Sequence, residues 1–149
     1  MTEPCLACEV NDGRLPAPGG VILDTGLWVV DHTIGTLGVG TLIVKPRRHV
    51  VRVGDLDDGE AAELGPLLQR VAAAVAEIAQ PSQVYVCLWS HMHRAPGHIH
   101  FVVQPVGEAL MSELDLHGPA LQAALFERAQ PPDPVAAAAF AKRARSLLA

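Results

Sequence analysis

The sequence predicts an α+β domain with a mostly antiparallel sheet, and three observations lead to that fold class. Strand-like segments come first, followed by one long helical segment, further strands and then helices, an order typical of α+β proteins. Residues 57–80 carry apolar side chains at helical spacing, whereas residues 97–105 alternate with the period of a strand. Half of the 149 residues are hydrophobic and 18% are charged. We therefore expect residues 1–149 to form a single domain with a buried core.

The first strands are predicted between residues 21 and 45. Residues 21–31 have the pattern of a β-strand, and the Asp-Thr-Gly at residues 24–26 can divide this segment into two short strands. A glycine-containing loop then leads into a second strand segment, residues 41–45, which Pro46 ends.

The long helix is predicted over residues 57–80. Asp57 or Asp58 can cap its first turn, and Pro81 ends it. The Gly-Pro pair at residues 65–66 predicts a kink or a later start of this helix.

The second half of the chain is predicted to contain buried strands followed by a helical C-terminal extension, residues 107–149. Residues 84–89 form a near-continuous apolar run, which is typical of a central strand buried on both faces. Two helices are expected at residues 118–130 and 135–148, because the proline-rich residues 131–134 separate them.

Composition excludes several classes of partner. The net charge is −5, which argues against a surface that binds nucleic acid polymers. No apolar run approaches the roughly 18 residues of a membrane helix, and the N-terminus does not resemble a signal peptide. We therefore expect a cytoplasmic protein in which the three cysteines are not a disulfide framework.

Residues 97–105, GHIHFVVQP, carry the clearest chemical signal. In a strand, His98, His100, Val102 and Gln104 share one face, and the two imidazoles lie roughly 6 to 7 Å apart. One imidazole can then bind a metal while its neighbour attacks a substrate. The alternative is that the two histidines lie on a half-solvated strand face and have no chemical role.

A second signal is the Cys5-x-x-Cys8 pair near the N-terminus. Two thiolates at this spacing reach one tetrahedral zinc ion, although a redox pair or chance can also produce it. His49 follows directly after a predicted strand, where side chains face a site, although a surface turn is the alternative. Cys5, Cys8, His49 and one strand histidine together make four ligands of the right kind for zinc.

The remaining candidates carry weaker signals. His91 follows Ser90 at the start of the loop that leads to the histidine strand. Cys87 is expected to be an inert core thiol. Three further histidines are expected to be solvated loop residues: His32, His93 and His117.

Three segments resemble the histidine triad (HIT) superfamily of nucleotide hydrolases and transferases. They are residues 5–8 (CLAC), 40–50 (GTLIVKPRRHV) and 98–105 (HIHFVVQP), and with the helix between them the match spans residues 5–106. The resemblance implies a HIT-like fold with a sheet of about five strands, and a homodimer.

The resemblance also implies roles for individual residues. His100 takes the position of the nucleophile, which forms a nucleotidyl-histidine intermediate. Zinc would be held by Cys5, Cys8, His49 and His98. It would be structural, because four protein ligands leave no open position for water.

The chain departs from the family pattern at the third signature position, which is Val102. Valine cannot hydrogen-bond a phosphate, and Gln104 on the same face is a partial substitute. The candidate catalytic residues are His91, His98, His100 and Gln104. The candidate substrate contacts are Asp31, Ser90 and Gln104. Further candidates for contacting the phosphate or the leaving group are Arg47, Arg48, His93 and Arg94.

The function that the resemblance implies is a nucleotide hydrolase or nucleotidyltransferase. It would attack the α-phosphate of a nucleoside phosphoramidate, a dinucleoside polyphosphate or a similar ester. The first alternative is a catalytically weak, zinc-structured nucleotide-binding protein, which Val102 favours. The second is an α+β domain with a redox-labile cysteine pair.

Overall fold

The computed structural model describes residues 4–92 and 95–149, so that His93 and Arg94 lie outside the described residues. The strands are β1 (Leu23–Asp24), β2 (Trp28–His32), β3 (Leu42–Pro46), β4 (Gln83–Leu88), β5 (His91–Met92), β6 (Ala95–Pro96) and β7 (Phe101–Val106). The helices are α1 (Leu6–Asn11), α2 (Asp58–Ala79), α3 (Glu108–Leu114), α4 (Gly118–Arg128) and α5 (Pro134–Leu148), with a 3-10 turn at Val53–Asp55.

The main sheet has five strands in the order β1-β2-β3-β7-β4, and every neighbouring pair is antiparallel. This confirms the predicted α+β class with an antiparallel sheet. Strands β5 and β6 form a separate two-stranded ribbon between β4 and β7. In the main sheet, Phe101 of β7 lies opposite Val44 of β3 on one side and Leu88 of β4 on the other.

Helices cover both faces of the sheet. On one side, α2 and α5 pack against alternate strand residues such as Val30, Val44 and Val103, and we call this side the α2 face. On the other side, which we call the α4 face, Leu121 and Leu125 pack onto the neighbouring residues of the same strands. Because side chains alternate along a strand, β7 contributes to both cores.

Helix α2 matches its prediction closely. It begins after Asp57, whose side chain accepts from the Glu60 amide while the Glu60 carboxylate accepts from the Asp57 amide, a capping box. The helix continues through Pro66, so the alternative of a later start is wrong. Helices α1 and α3 were not predicted, since both are short. Among the described residues, no helix combines the length and the apolar character that crossing a membrane requires.

The position of β4 corrects one prediction. The apolar run at residues 84–89 is predicted to be a central strand, but among the described residues β4 is an edge strand whose one partner is β7. Val86 is 45% exposed and Trp89 is 64% exposed. A continuous apolar run is compatible with burial on both faces, but it does not say whether a strand has a second neighbour.

The regular part of the histidine strand is shorter than predicted. β7 begins at Phe101, so His98 and His100 lie just before it. The ladder ends here because β3 ends at Pro46, which has no N–H to donate. The Ile99 amide donates instead to the Val50 carbonyl, at 2.8 Å.

His32 corrects a further prediction, because it is fully buried at the end of β2 instead of solvated in a loop. Its Nδ1 lies 2.9 Å from the Thr33 carbonyl, which can only accept, and its Nε2 accepts from the Gly40 amide at 2.9 Å. The two contacts together require the neutral imidazole, because the cation has no nitrogen lone pair left to accept from Gly40. Burial lowers the pKa of His32, although the hydrogen bond to Thr33 opposes the shift.

We expect this imidazole to make stability depend on pH. A histidine pKa that is lower in the folded state means that the unfolded chain binds more protons, so the free energy of unfolding falls as pH drops below about 6.5. Replacing His32→Gln keeps an acceptor for Gly40 but removes the titrating group. Near pH 8, the free energy of unfolding of the variant should be about 1–3 kcal/mol lower than that of the wild type, because the hydrogen bond to Thr33 is lost.

Urea unfolding between about pH 8 and about pH 5 measures this effect. We expect the stability of the His32→Gln variant to decline less over this range than that of the wild type. Equal declines in the two proteins would show that His32 does not contribute to the pH dependence.

Candidate functional site

The N-terminal segment brings the cysteine pair to the sheet. Cys5 is the N-cap of α1, and its sulfur accepts from the Cys8 amide at 3.5 Å. At the end of the helix, the Asn11 side-chain amide donates to the carbonyls of Pro46 and Arg47. Helix α1 is therefore attached to the exit of β3, where the chain continues to His49.

Four potential metal ligands converge at this point. The donor atoms of Cys5, Cys8, His49 and His98 all lie within 4.8 Å of one another. The Cys8 sulfur lies 3.4 Å from His49 Nδ1 and 3.5 Å from His98 Nδ1, and the Cys5 sulfur lies 3.6 Å from His98 Nδ1. Tetrahedral zinc, with bonds of about 2.3 Å to sulfur and about 2.0 Å to nitrogen, separates such donors by roughly 3.5 Å. The donor set is therefore compatible with zinc.

Hydrogen bonding orients His98 for this role. Its Nε2 lies 2.8 Å from the Pro46 carbonyl, so that nitrogen carries the proton and Nδ1 presents a lone pair to the two sulfurs. Burial is the main cause that lowers the pKa of His98, which favours the neutral ring that a metal requires.

Burial disfavours the thiolate form of Cys8, and the positive charge of Arg14 offsets this effect only in part. Burial and the neighbouring Cys5 raise the pKa of Cys8 to about 11. A bound cation reverses this balance, because it stabilises the thiolate directly. The two thiols and two imidazoles are therefore better stabilised with a bound metal cation than without one.

His100 lies two residues beyond this cluster and is half-buried. Its Nδ1 lies 3.2 Å from the carbonyl oxygen of His98, which can only accept. The Ser90 hydroxyl accepts from the His100 amide at 3.2 Å and lies 3.5 Å from Nδ1. A proton on Nδ1 leaves the lone pair on Nε2, which is the form of imidazole that can act as a nucleophile.

Val102 and Gln104 lie in the core on the α4 face. Val102 is only 5% exposed and packs in the cluster that contains Leu121 and Leu125. Gln104 is 0% exposed; its amide donates to the Leu37 carbonyl, and its oxygen accepts from Gln122. In this arrangement neither side chain has a surface open to a substrate.

Asp31 forms a buried ion pair with Lys45 of the adjacent strand. Burial raises the pKa of Asp31, and the Lys45 ammonium opposes that shift. Lys45 was not singled out in the sequence, although a single lysine in an apolar strand already requires an acidic partner.

The remaining candidates lie at the surface or have other partners. His91 is exposed in β5, and His117 is exposed as expected. Arg47 is paired with Asp24, and Arg48 donates to Glu60 at 2.9 Å, so both arginines already have acidic partners.

Comparison with solved structures identifies the fold. The chain superposes on a HIT-like protein from Bartonella henselae, described as involved in cell-cycle regulation, with a TM-score of 0.73 and 15% identity over 99% of this chain and 98% of that one. A zinc-bound histidine triad protein from Mycobacterium smegmatis matches with a TM-score of 0.66 and 20% identity over 97% and 92%. A hypothetical histidine triad nucleotide-binding protein from Sulfolobus tokodaii matches with a TM-score of 0.70 and 14% identity over 97% and 91%.

At the level of sequence, no model of a protein family matches the chain, and no curated protein matches it. The assignment therefore depends on three-dimensional structure, and the structural matches extend over nearly the whole chain. The five-stranded antiparallel sheet and its helices are arranged as in these proteins, and the chain has the histidine triad fold.

Proposed function

We propose that this protein is a nucleotide hydrolase or nucleotidyltransferase in which His100 is the covalent nucleophile. The observation that carries this proposal is the 3.2 Å contact between His100 Nδ1 and the His98 carbonyl. This contact directs the lone pair of the half-buried ring to Nε2. The histidine triad fold supports the proposal, because the superfamily that the sequence resembles consists of nucleotide hydrolases and transferases.

The proposed reaction is a double displacement at phosphorus. Nε2 of His100 attacks the α-phosphorus, a P–N bond forms, and the bond to the leaving group breaks with its electron pair moving to that group. Water or another acceptor then attacks the nucleotidyl-histidine and releases the ring. The substrate class is a nucleoside phosphoramidate, a dinucleoside polyphosphate or a similar ester, and exposed His91 is the candidate proton donor to the leaving group.

We propose zinc as the resident metal, held by Cys5, Cys8, His49 and His98. All four positions would be filled by protein, so the ion would stabilise structure without activating water. The ligands come from α1, the segment after β3 and the segment before β7. They would fix the position of the His98 carbonyl, which in turn orients His100.

The alternative function is a nucleotide-binding protein with little catalytic activity. Val102 and Gln104 support it, because both are buried in the α4-face core and neither can assist departure of a leaving group from there. Losing one donor to developing phosphate charge costs roughly 10²- to 10³-fold in rate. The two functions differ in whether a covalent adduct forms at His100.

We further propose a homodimer that forms through the free edge of β4. An edge strand presents unpaired backbone groups to another chain, and Val86 gives this edge an exposed apolar side chain. A second copy of the chain would extend the sheet and cover Val86.

The zinc site is tested by elemental analysis of protein purified from zinc-replete cells. We expect about one zinc per chain in the wild type and a markedly lower zinc content in Cys8→Ser, because the loss of one ligand weakens binding by at least roughly tenfold. The matched control is Cys87→Ser, which removes a thiol outside the cluster and should leave the zinc content unchanged. Metal-free wild-type protein, or equal zinc content in the two variants, would refute the assignment.

The nucleophile is tested by rapid-quench peptide mass spectrometry with nucleoside 5′-phosphoramidates of several bases. We expect a nucleotide adduct on the peptide that contains His100, and a loss of turnover of roughly 10³-fold or more in His100→Ala. The matched control His117→Ala removes an exposed histidine outside the site. Wild-type turnover in His100→Ala would exclude His100 as the nucleophile, whereas nucleotide binding without an adduct in the wild type would favour the alternative.

The dimer is tested by sedimentation velocity at micromolar protein concentration. We expect the wild type to have twice the mass of one chain, and Val86→Lys to dissociate it because a lysine on an edge strand opposes pairing. The control is Val135→Lys at the start of α5, where the side chain is 79% exposed. A wild type that sediments only as a single chain contradicts the proposal.

A further inference from the structure

Three polar side chains at intervals of three residues share one side of the N-terminal helix. Cys5 is the N-cap of α1, Cys8 lies in its first turn, and Asn11 is its last residue. Residues three positions apart are neighbours on a helix surface. The Cys8 thiol and the Asn11 side chain therefore face the same part of the molecule, which is the exit of β3.

The Asn11 side chain attaches α1 to a backbone segment that is itself held by the sheet. Its Nδ2 donates to the Pro46 carbonyl at 3.2 Å and to the Arg47 carbonyl at 3.4 Å. The Arg47 amide in turn donates to the Leu27 carbonyl at 2.8 Å, next to the paired strands β2 and β3. Asn11 thus connects the helix that carries the thiols to the sheet.

The Pro46 carbonyl accepts from two side chains. Besides Asn11, His98 donates to it through Nε2 at 2.8 Å, and a carbonyl oxygen has two lone pairs for such donors. The acceptor that fixes the tautomer of His98 is therefore itself bonded to Asn11. Through His98, whose carbonyl lies 3.2 Å from the ring of His100, these contacts also extend to the proposed nucleophile.

Neither helix capping nor packing accounts for the Asn11 side chain. Backbone groups cap the end of α1, because the Asp12 amide donates to the Cys8 carbonyl and the Gly13 amide donates to the Val10 carbonyl. Val10 is the buried apolar residue of α1, and apolar burial is not directional. Asn11 Oδ1 is buried and has no hydrogen-bond partner within residues 4–92 and 95–149, which is unfavourable for stability. The contribution of Asn11 is therefore the orientation of α1.

We propose that Asn11 is a positioning residue that sets the affinity of the four-ligand site for zinc. This inference depends on the proposed zinc site and adds to it a residue that is not a ligand. The two donations from Asn11 hold the thiols, which come from α1, beside His49 and His98, which come from segments at the end of the sheet. Without these donations, α1 would have to be ordered when the metal binds, and the entropy lost would lower the affinity.

The decisive variant is Asn11→Leu in the full-length protein. Leucine has a similar branched shape, and it removes the two donations together with the unsatisfied Oδ1. The Pro46 carbonyl keeps its bond from His98. We therefore expect the melting temperature of the metal-free variant to stay close to that of the metal-free wild type.

The zinc affinity of this variant should nevertheless fall. Competition with a chromophoric chelator measures the affinity well below the melting temperature, and we expect a loss of roughly tenfold or more in Asn11→Leu. Asn11→Gln retains an amide donor, so it should recover most of the affinity. A purely structural role would instead lower the melting temperature of the metal-free protein and leave the zinc affinity of the folded chain unchanged.

The matched control is Glu9→Leu, which changes a polar side chain of the same helix. The Glu9 carboxylate contacts Arg14 within the N-terminal segment, and it has no described contact with the exit of β3. We expect its zinc affinity to remain close to that of the wild type. If Asn11→Leu does not keep the circular dichroism of the wild type, Asn11→Ala replaces it, with the same expected loss.

The outcomes separate this inference from the zinc site on which it depends. Wild-type affinity in Asn11→Leu overturns the positioning role and leaves the zinc site intact. An equal loss of affinity in Glu9→Leu also overturns it, because any disturbance of α1 would then suffice. An affinity in Asn11→Gln as low as that of Asn11→Leu shows that the amide donor is not the cause. A wild type that binds no zinc overturns both the site and the role of Asn11.

Discussion

The arrangement of the site depends on His98, which contacts four residues through three of its polar atoms. Its Nδ1 faces the sulfurs of Cys5 and Cys8, its Nε2 donates to the Pro46 carbonyl, and its own carbonyl accepts from the His100 ring. The tautomer fixed by the Pro46 bond is the one that presents Nδ1 to the thiols. A displacement of this residue would therefore disturb the metal ligands and the nucleophile together.

Pro46 determines where these contacts can form. Because it ends the pairing of β3 with the histidine segment, residues 97–100 leave the ladder and their backbone groups become available for other partners. The Ile99 amide donates to the Val50 carbonyl, and the His98 carbonyl accepts from the His100 ring. The site thus forms at the place where the regular sheet stops, supported by a sheet whose two faces are covered by helices.

Much of this fold could be predicted from sequence, because its main elements have strong periodicity. The capped helix at Asp57, the two short strands before His32 and the apolar strand before Pro46 all follow from local pattern and turn chemistry. The four metal-ligand candidates also meet in space, since the CxxC spacing and histidines beside strand ends are local signals of such a cluster.

The errors concern properties that local sequence does not encode. The apolar run before Ser90 does not reveal that β4 has only one neighbour, and the sequence around His32 does not reveal that a C-terminal helix packs over it. The ring of His32 meets Phe140 of α5, more than a hundred positions away, at a centroid distance of 6.2 Å. Helix α4 likewise buries Gln104 through Gln122, a residue with no distinguishing pattern of its own.

The packing of α4 over Val102 determines which constraint limits the choice of side chain at position 102. In a site open to substrate, the choice of side chain there would be constrained by chemistry. Here Val102 packs in the cluster that contains Leu121 and Leu125. A larger side chain would overpack this cluster, and a polar side chain would be buried without a hydrogen-bond partner. An imidazole could enter only with compensating changes in the helix above it. The side chain at position 102 is therefore coupled energetically to the residues of α4 that pack on it.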